Sequence, residues 1–492
     1  MGKFWSAVLV LSVLIFCSQD SRAKGGTVEG SGRERTELRD IVGVTHVAGK
    51  YHLTEGDFLN EGADAILELG SRVIKVWFAD VKGSYPFHSD WPRMGSLVDI
   101  ARSPYFRRLF EKPFSTYIMM CFSVGRGGGY WKGGITEEQK LDERRQFYEL
   151  AKHLLTTYRN TGKTFVLQHW EGDWLIRGNY DAKADPSPAA IKGMIGWLNA
   201  RQAGVSRARE EVGQAGVRVY HAAEVNRVVD SMRAGRPNMV NRVLPHTNLD
   251  LFSYSAWDAA TAHFEDPNVL REALDFIAAN VADSRDFGGR NVYVGEFGMP
   301  ENNFSAEKIR KAIPNAVRTA LDWGCPYIVY WQLYCNELSG KEKQRPVKSN
   351  KGVRGFWLIR PDGSKAWTWE YFHGLLAAGK EAPKASFYVS PSGNDSWSGK
   401  SASPNRRRSD GPFRTLERAR EAVRALKRAG GLPAGGVSVY LRGGVYPMAG
   451  TFELGAEDGG VEGRPVVYRA YGDEEARLGG GRGRVYDRGA GG

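Results

Sequence analysis

Two glutamates, Glu171 and Glu296, stand where short apolar runs give way to polar, glycine-containing turns. Their surroundings read Gln168-His169-Trp170-Glu171-Gly172-Asp173-Trp174 and Gly295-Glu296-Phe297-Gly298. A pair of carboxyls can divide the work of breaking a glycosidic bond. One, protonated, gives its proton to the leaving oxygen, while the other, ionised, attacks or shields the cationic anomeric carbon. Mutual repulsion helps, because a neighbouring carboxylate raises the pKa of its partner. A gap of roughly 5–5.5 Å suits direct attack with retention, and about 6.5–9.5 Å leaves room for a water and inversion. The sequence does not set that gap. It does suggest faces: by strand alternation Glu171 shares a side with His169 and Leu167, and Glu296 with Val294 and Val292.

Other residues compete for roles. Glu224, in Ala223-Glu224-Val225-Asn226, is the next candidate for the acid. His46 and Lys75 lie on apolar runs and are candidates for a rim, and Trp170, Trp174 and Trp257 either stack on sugar rings or pack loops. A metal centre needs clustered ligands. His46, His169 and His221 show no tight spacing, so neither a metal nor a cofactor is expected. A serine nucleophile has no Gly-x-Ser-x-Gly elbow to support it.

These residues need a scaffold that gathers distant strand ends. Eight apolar runs alternate with longer amphipathic stretches: 41–47, 72–78, 115–124, 164–169, 217–222, 249–254, 291–294 and 326–333. Between them, residues 57–69 repeat apolar positions at helical spacing and stop at Gly70. Thr136-Glu137-Glu138-Gln139 forms a capping-box start, and Ser305 opens a helix that Pro314 is expected to kink and Gly324 closes. The alternation predicts an α/β fold, a (β/α)8 TIM barrel over residues 38–378, whose chemistry would sit at the strand C-terminal ends. An open doubly wound sheet is disfavoured, since no glycine-rich phosphate fingerprint follows the first run.

Glutamates at the ends of the fourth and seventh strands of an eightfold barrel resemble clan A of the retaining glycoside hydrolases, over about two-thirds of the chain. The resemblance implies Glu171 as acid/base, Glu296 as nucleophile, Trp331 as a floor beneath the sugar and Tyr254 as hydrogen-bond donor to the nucleophile. It also implies a poly- or oligosaccharide substrate. One departure stands out: the clan places Asn directly before the acid, and here the residue is Trp170. Either Asn226 substitutes in holding the 2-hydroxyl, or that recognition is lost, or Glu171 is not the acid. The second functional reading is therefore a catalytically inactive, carbohydrate-binding barrel.

Composition bounds the rest. At 492 residues the chain is expected to hold two domains. Residues 1–23, with Lys3, the apolar run Phe4–Cys17 and Ser21-Arg22-Ala23, read as a secretory signal, so export without stable membrane insertion is expected. Cys121, Cys325 and Cys335 would remain as buried thiols. The net charge of +12 owes much to an arginine-rich tail without interleaved aromatics, which argues against a nucleic-acid partner. After a linker at 379–387, residues 388–492 resemble the opening of right-handed parallel β-helix proteins. The likeness rests on Tyr388-Val389-Ser390-Pro391-Ser392-Gly393-Asn394-Asp395, Pro412-Phe413-Arg414-Thr415-Leu416 and Val439-Tyr440-Leu441-Arg442-Gly443-Gly444-Val445-Tyr446. Strands are expected at 437–441, 450–454 and 465–470, and the domain is expected to be incomplete.

Overall fold

The computed structural model describes residues 37–480 except 341, 378–384, 406, 434–435, 449, 462–463 and 472–473. The expected secretory signal at 1–23 lies outside the described residues. The chain divides into two compact units at about residue 380.

In the first unit eight parallel strands close into a barrel in sequential order. They are β1 (Val42–His46), β2 (Val73–Phe78), β3 (Thr116–Cys121), β4 (Thr164–Gln168), β5 (Arg218–Val225), β6 (Leu251–Ser255), β7 (Val292–Phe297) and β8 (Ile328–Tyr330). Their β-branched and aromatic residues suit strands buried on both sides. The helices outside start and stop where the side chains dictate. Asp57 accepts from the Asn60 amide to cap Phe58–Leu69, and Gly70 ends that helix at φ 98°. Thr136 and Gln139 exchange the two bonds of a capping box. The helix Ala306–Trp323 runs through Pro314 without ending there.

An apolar cluster takes Val73, Ile118, Val166, Tyr220, Ala222, Leu251, Tyr293, Tyr327 and Val329 from seven successive strands. Such a set meets only inside the barrel. It fixes which face of each strand points inward, and alternation then puts Lys75, Gln168, Glu224, Ser253, Ser255, Gly295 and Trp331 on that face. The expected sharing of sides is thereby corrected. Leu167, His169, Val292 and Val294 alternate with inward residues and so face the helices; the His169 ring, for one, lies 5.6 Å from Trp197 of the helix Pro188–Val212.

Both glutamates leave that outer face through local backbone irregularities. In β7, Val294 pairs with Ile328 but Phe297 pairs with Tyr330, so three steps on β7 match two on β8. This is a bulge, with one residue too many. It lets Phe297 rejoin the outer face, against Tyr330 and thence Phe372, while Glu296 turns into the mouth. After β4, Glu171 adopts φ 26° and ψ 72°, a left-handed conformation unfavourable for a residue with a Cβ.

The second unit contains a parallel three-stranded sheet and a parallel two-stranded one. The first orders Val466–Ala470, Val437–Leu441 and Ala385–Val389, and the second pairs Gly444–Met448 with Ala476–Gly480. The helix Leu416–Gly430, capped by Thr415, covers an apolar core that includes Val389, Phe413, Val439 and Tyr446. Two expectations change. The strand Ala385–Val389 begins within the segment read as linker, 379–387, and runs on past its end. Residues 450–454 are irregular, and the strand lies earlier, where Tyr446 is buried and donates to the Val389 carbonyl at 2.9 Å. Among the described residues no helix is long and apolar enough to cross a membrane, and Cys121, Cys325 and Cys335 are free and buried.

Candidate active site

The inward residues near the C-terminal ends of the strands form one hydrogen-bonded cluster. Lys75 on β2 is fully buried, and its ammonium donates to Glu224 at 2.9 Å, Glu296 at 2.7 Å and the Gly295 carbonyl at 3.3 Å. Its three protons are thus all committed. Burial opposes its charge, yet the two carboxylates hold its pKa above the usual lysine range.

Glu224, inside β5, accepts from Lys75, from Gln168 Nε2 at 2.8 Å, from Ser253 Oγ at 2.8 Å and from the Glu171 amide at 3.0 Å. Burial alone would raise its pKa; the Lys75 charge and these donors hold it below the usual carboxylate range. The residue weighed as the alternative acid is therefore an ionised group with no exposed surface. It positions others: one oxygen fixes the Glu171 backbone while the other holds Lys75, which in turn holds Glu296. That anchor stabilises the left-handed turn at Glu171, as strained conformations require.

Glu171 and Glu296 meet at Ser255. The Ser255 hydroxyl lies 2.9 Å from Glu171 Oε1 and 3.0 Å from Glu296 Oε2. Those two carboxyl oxygens are therefore no farther apart than these two bonds laid end to end. Trp257 Nε1 also donates to Glu296 Oε2, at 3.3 Å. Burial, then the charges of Glu296 and Glu224, holds Glu171 well above the usual carboxylate range. Burial pushes Glu296 up to about 7, against the pull of the Lys75 ammonium. Both carboxyls are thus held above the usual range, and of the two only Glu296 accepts a hydrogen bond from the Lys75 ammonium.

Aromatic rings frame the pair. Trp331 stands edge-on to Trp77, with centroids 5.7 Å apart, and to Trp257 at 6.5 Å. The Lys75 ammonium lies 5.6 Å from the Trp77 ring. Trp170, half-buried on the rim after β4, borders exposed Tyr180.

Three expected site residues sit elsewhere or serve otherwise. Tyr254 faces outward and donates to Asp258 at 2.6 Å, so Ser255 and Trp257, not Tyr254, contact Glu296. The shift in β6–β7 pairing at Tyr254/Ser255 sets Ser255 opposite Glu296. His46 packs under the helix Phe58–Leu69: Nε2 bonds the Phe58 carbonyl at 2.7 Å, and burial lowers its pKa to about 4. It fills space away from the mouth. Asn226 exchanges bonds with Asp173, its Oδ1 accepting from the Asp173 amide at 3.0 Å and its own amide donating to Asp173 Oδ2 at 2.9 Å. It fastens the β5 loop to the β4 loop. Sequence reasoning missed Ser255, Ser253, Gln168 and Trp77; once the inward face is known, alternation finds all four.

Gly295 is required by this packing. A Cβ there would lie 1.9 Å from Ser253 Oγ and 3.0 Å from Glu224 Oε2. Among the described residues no group of three or more His, Cys, Asp or Glu side chains is placed to hold a metal ion.

No protein-family model and no curated protein matches this chain. Solved structures do. A protein described as "Glycoside hydrolase" matches at 29% identity over 19% of this chain, which spans only 14% of that protein, with a TM-score of 0.17. A variant of the family 5 subfamily 18 glycoside hydrolase of Streptomyces cattleya, in complex with Manb1-4GlcNAc, matches at 12% identity over 82% of this chain and 94% of its own, TM-score 0.46. The exo-beta-1,4-mannosidase Op5Man5 of Opitutaceae bacterium strain TAV5 matches at 13% identity over 82% and 77%, TM-score 0.43. Similarity at this level assigns no function, which has to come from the site.

Proposed function

We propose that the protein is a secreted glycoside hydrolase that cleaves O-glycosidic bonds of a poly- or oligosaccharide with retention, Glu171 acting as acid/base and Glu296 as nucleophile. The observation that carries this reading is the shared Ser255 hydroxyl. It keeps the facing oxygens within the span of two hydrogen bonds, a closeness that favours direct attack, at roughly 5–5.5 Å between carboxyl groups, over the about 6.5–9.5 Å that accommodates a water. The Lys75 ammonium on Glu296 and not on Glu171 suits the same roles, since it favours the ionised nucleophile.

In the first step Glu296 attacks the anomeric carbon as the bond to the leaving oxygen breaks, and the Glu171 proton goes to that oxygen. In the second, Glu171, now a carboxylate, takes a proton from water whose oxygen displaces Glu296 from the anomeric carbon. Lys75 favours the ionised form of Glu296 before attack and of the released carboxylate afterwards. Trp331, Trp257 and Trp77 supply apolar walls for a sugar ring, and Trp170 a rim platform beside the acid. No bond to the 2-hydroxyl is assigned to Asn226. For the second unit, the in-register parallel pairings between its strands support reading it as opening turns of a parallel β-helix.

A 2-deoxy-2-fluoroglycoside with an activated leaving group tests the chemistry. The expected result is a covalent adduct on Glu296, found by peptide mass mapping, with turnover abolished in Glu296→Gln. An adduct on another residue refutes the roles. Oligosaccharide binding by wild type without turnover on a broad glycoside panel would make the barrel a binding protein.

A further inference from the structure

A hydroxyl carries one hydrogen, yet Ser255 Oγ stands within hydrogen-bond distance of two carboxyls. It can donate to only one. Both contacts are satisfied together when exactly one proton resides on the pair. A protonated Glu171 then donates to Ser255 Oγ, and Ser255 donates to ionised Glu296. With both carboxyls ionised, one contact becomes two oxygens facing each other without a hydrogen.

We propose that Ser255 is a positioning residue that stabilises the singly protonated state of the Glu171–Glu296 pair, linking proton donor and nucleophile through one hydroxyl. This deepens the reading above and rests on it for the roles of the two glutamates. Ser255 is fully buried at the end of β6, where the β6–β7 register shift sets it opposite Glu296. Among the described residues the charged and titratable groups facing the pair are Glu224 from β5, Lys75 from β2 and the buried Tyr293 phenol from β7, with the neutral Trp257 indole also donating to Glu296. Lys75 has spent its three protons on Glu224, Glu296 and the Gly295 carbonyl. Among the described residues, Ser255 is the one hydrogen-bond partner of Glu171 Oε1.

Removing the hydroxyl takes two bonds from the singly protonated state and one from the doubly ionised state. The proton on Glu171 is then held less tightly. The bond that distinguishes the two states, from the neutral Glu171 acid to the Ser255 oxygen, corresponds to about one pH unit. In Ser255→Ala the alkaline limb of the kcat/KM profile is expected about one unit lower and the acid limb, with one donor to ionised Glu296 lost, a fraction of a unit higher; Ser255→Thr is expected to restore both. A purely structural serine would lower kcat at all pH values and leave the limbs where they were.

The full-length chain also permits a readout without turnover. In an infrared difference titration, the protonated-carboxyl band lost in Glu171→Gln belongs to Glu171. Its midpoint is expected to fall by about one unit in Ser255→Ala and to recover in Ser255→Thr. An unmoved midpoint in folded Ser255→Ala overturns the proposal, as does a midpoint that rises. Should Ser255→Ala fail to fold, Ser255→Cys, whose thiol is a weak donor, is expected to give a smaller shift in the same direction; no shift in that variant overturns it too. If wild type turns over no glycoside, the hydrolase reading fails, and the infrared midpoint still decides the role of Ser255.

Discussion

Replacing Lys75 with Met leaves a stem of similar length and deletes the cation between two buried carboxylates. Lys75 has no exposed surface, and Glu224 and Glu296 retain 0% and 2% side-chain exposure, so water cannot take its place without rearrangement. Breaking a buried pair by removing one partner costs about 3–5 kcal/mol. Here the loss depends on pH. Glu296 already binds a proton at about 7 with Lys75 in place. Without the ammonium its folded pKa rises further, while the unfolded value stays near the ordinary ~4.3 of a glutamate. A carboxyl raised in the folded state loses stability as pH climbs from the unfolded toward the folded pKa. The additional loss therefore accrues above about 7, at about 1.4 kcal/mol per pH unit, until the new pKa is reached. Below that, protonated Glu296 relieves part of the damage. Denaturant unfolding of wild type and Lys75→Met, at about pH 7 and at about two units above it, should show a difference that widens by roughly 2–3 kcal/mol at the alkaline value. Turnover should collapse as well, because the nucleophile is protonated. An equal destabilisation at both pH values, or turnover with an unmoved acid limb, would refute the assignment of Lys75 as the charge that holds Glu296 ionised.

Wild-type kcat/KM should fall on the acid side with a midpoint near the value of about 7 to which burial pushes Glu296, because protonation there removes the nucleophile. Trp257→Phe deletes one donor to Glu296, so it should move that acid limb upward by a fraction of a unit in the same assay. Gly295→Ala drives a methyl into Ser253 and toward Glu224; overpacking costs about 1–3 kcal/mol, read as a lower unfolding midpoint together with lost activity. Tyr254→Phe removes the bond to Asp258, itself pushed up to about 7 by burial, and should cost about 1–3 kcal/mol of stability while leaving the pH limbs unmoved.

The eight strands were legible because each is an apolar run bounded by capped helices, and local chemistry such as Thr136 with Gln139 acts over a few residues. The helix opened by Ser305 and closed by Gly324 was legible for the same reason, with Pro314 inside it. The two glutamates were found, but their faces were misassigned. Alternation holds only for regular strands, and neither the β7 bulge nor the left-handed turn at Glu171 has a sequence mark such as a glycine at the residue concerned. Glu224 resembled a third acid because its identity as a buried, ionised anchor depends on Lys75, far away in sequence. Tyr254 and Ser255 are neighbours, so a register shift of one residue exchanged their roles. His46 and Asn226 carry side chains that could serve a ligand or the fold equally; only their partners, the Phe58 carbonyl and Asp173, distinguish the two.

The irregular backbone at Glu171 and Glu296 has a practical consequence for transplanting this chemistry. Copying the two acids onto the straight strands of an idealised barrel would aim both into the surrounding helices, where neither meets the other. A portable unit would have to include the extra residue of β7, the Ser255 that faces it, and the Glu224 oxygen that pins the kinked amide. Inheritance of the proposed catalytic pair would thus track insertions and bends in the chain as closely as it tracks the acidic residues themselves.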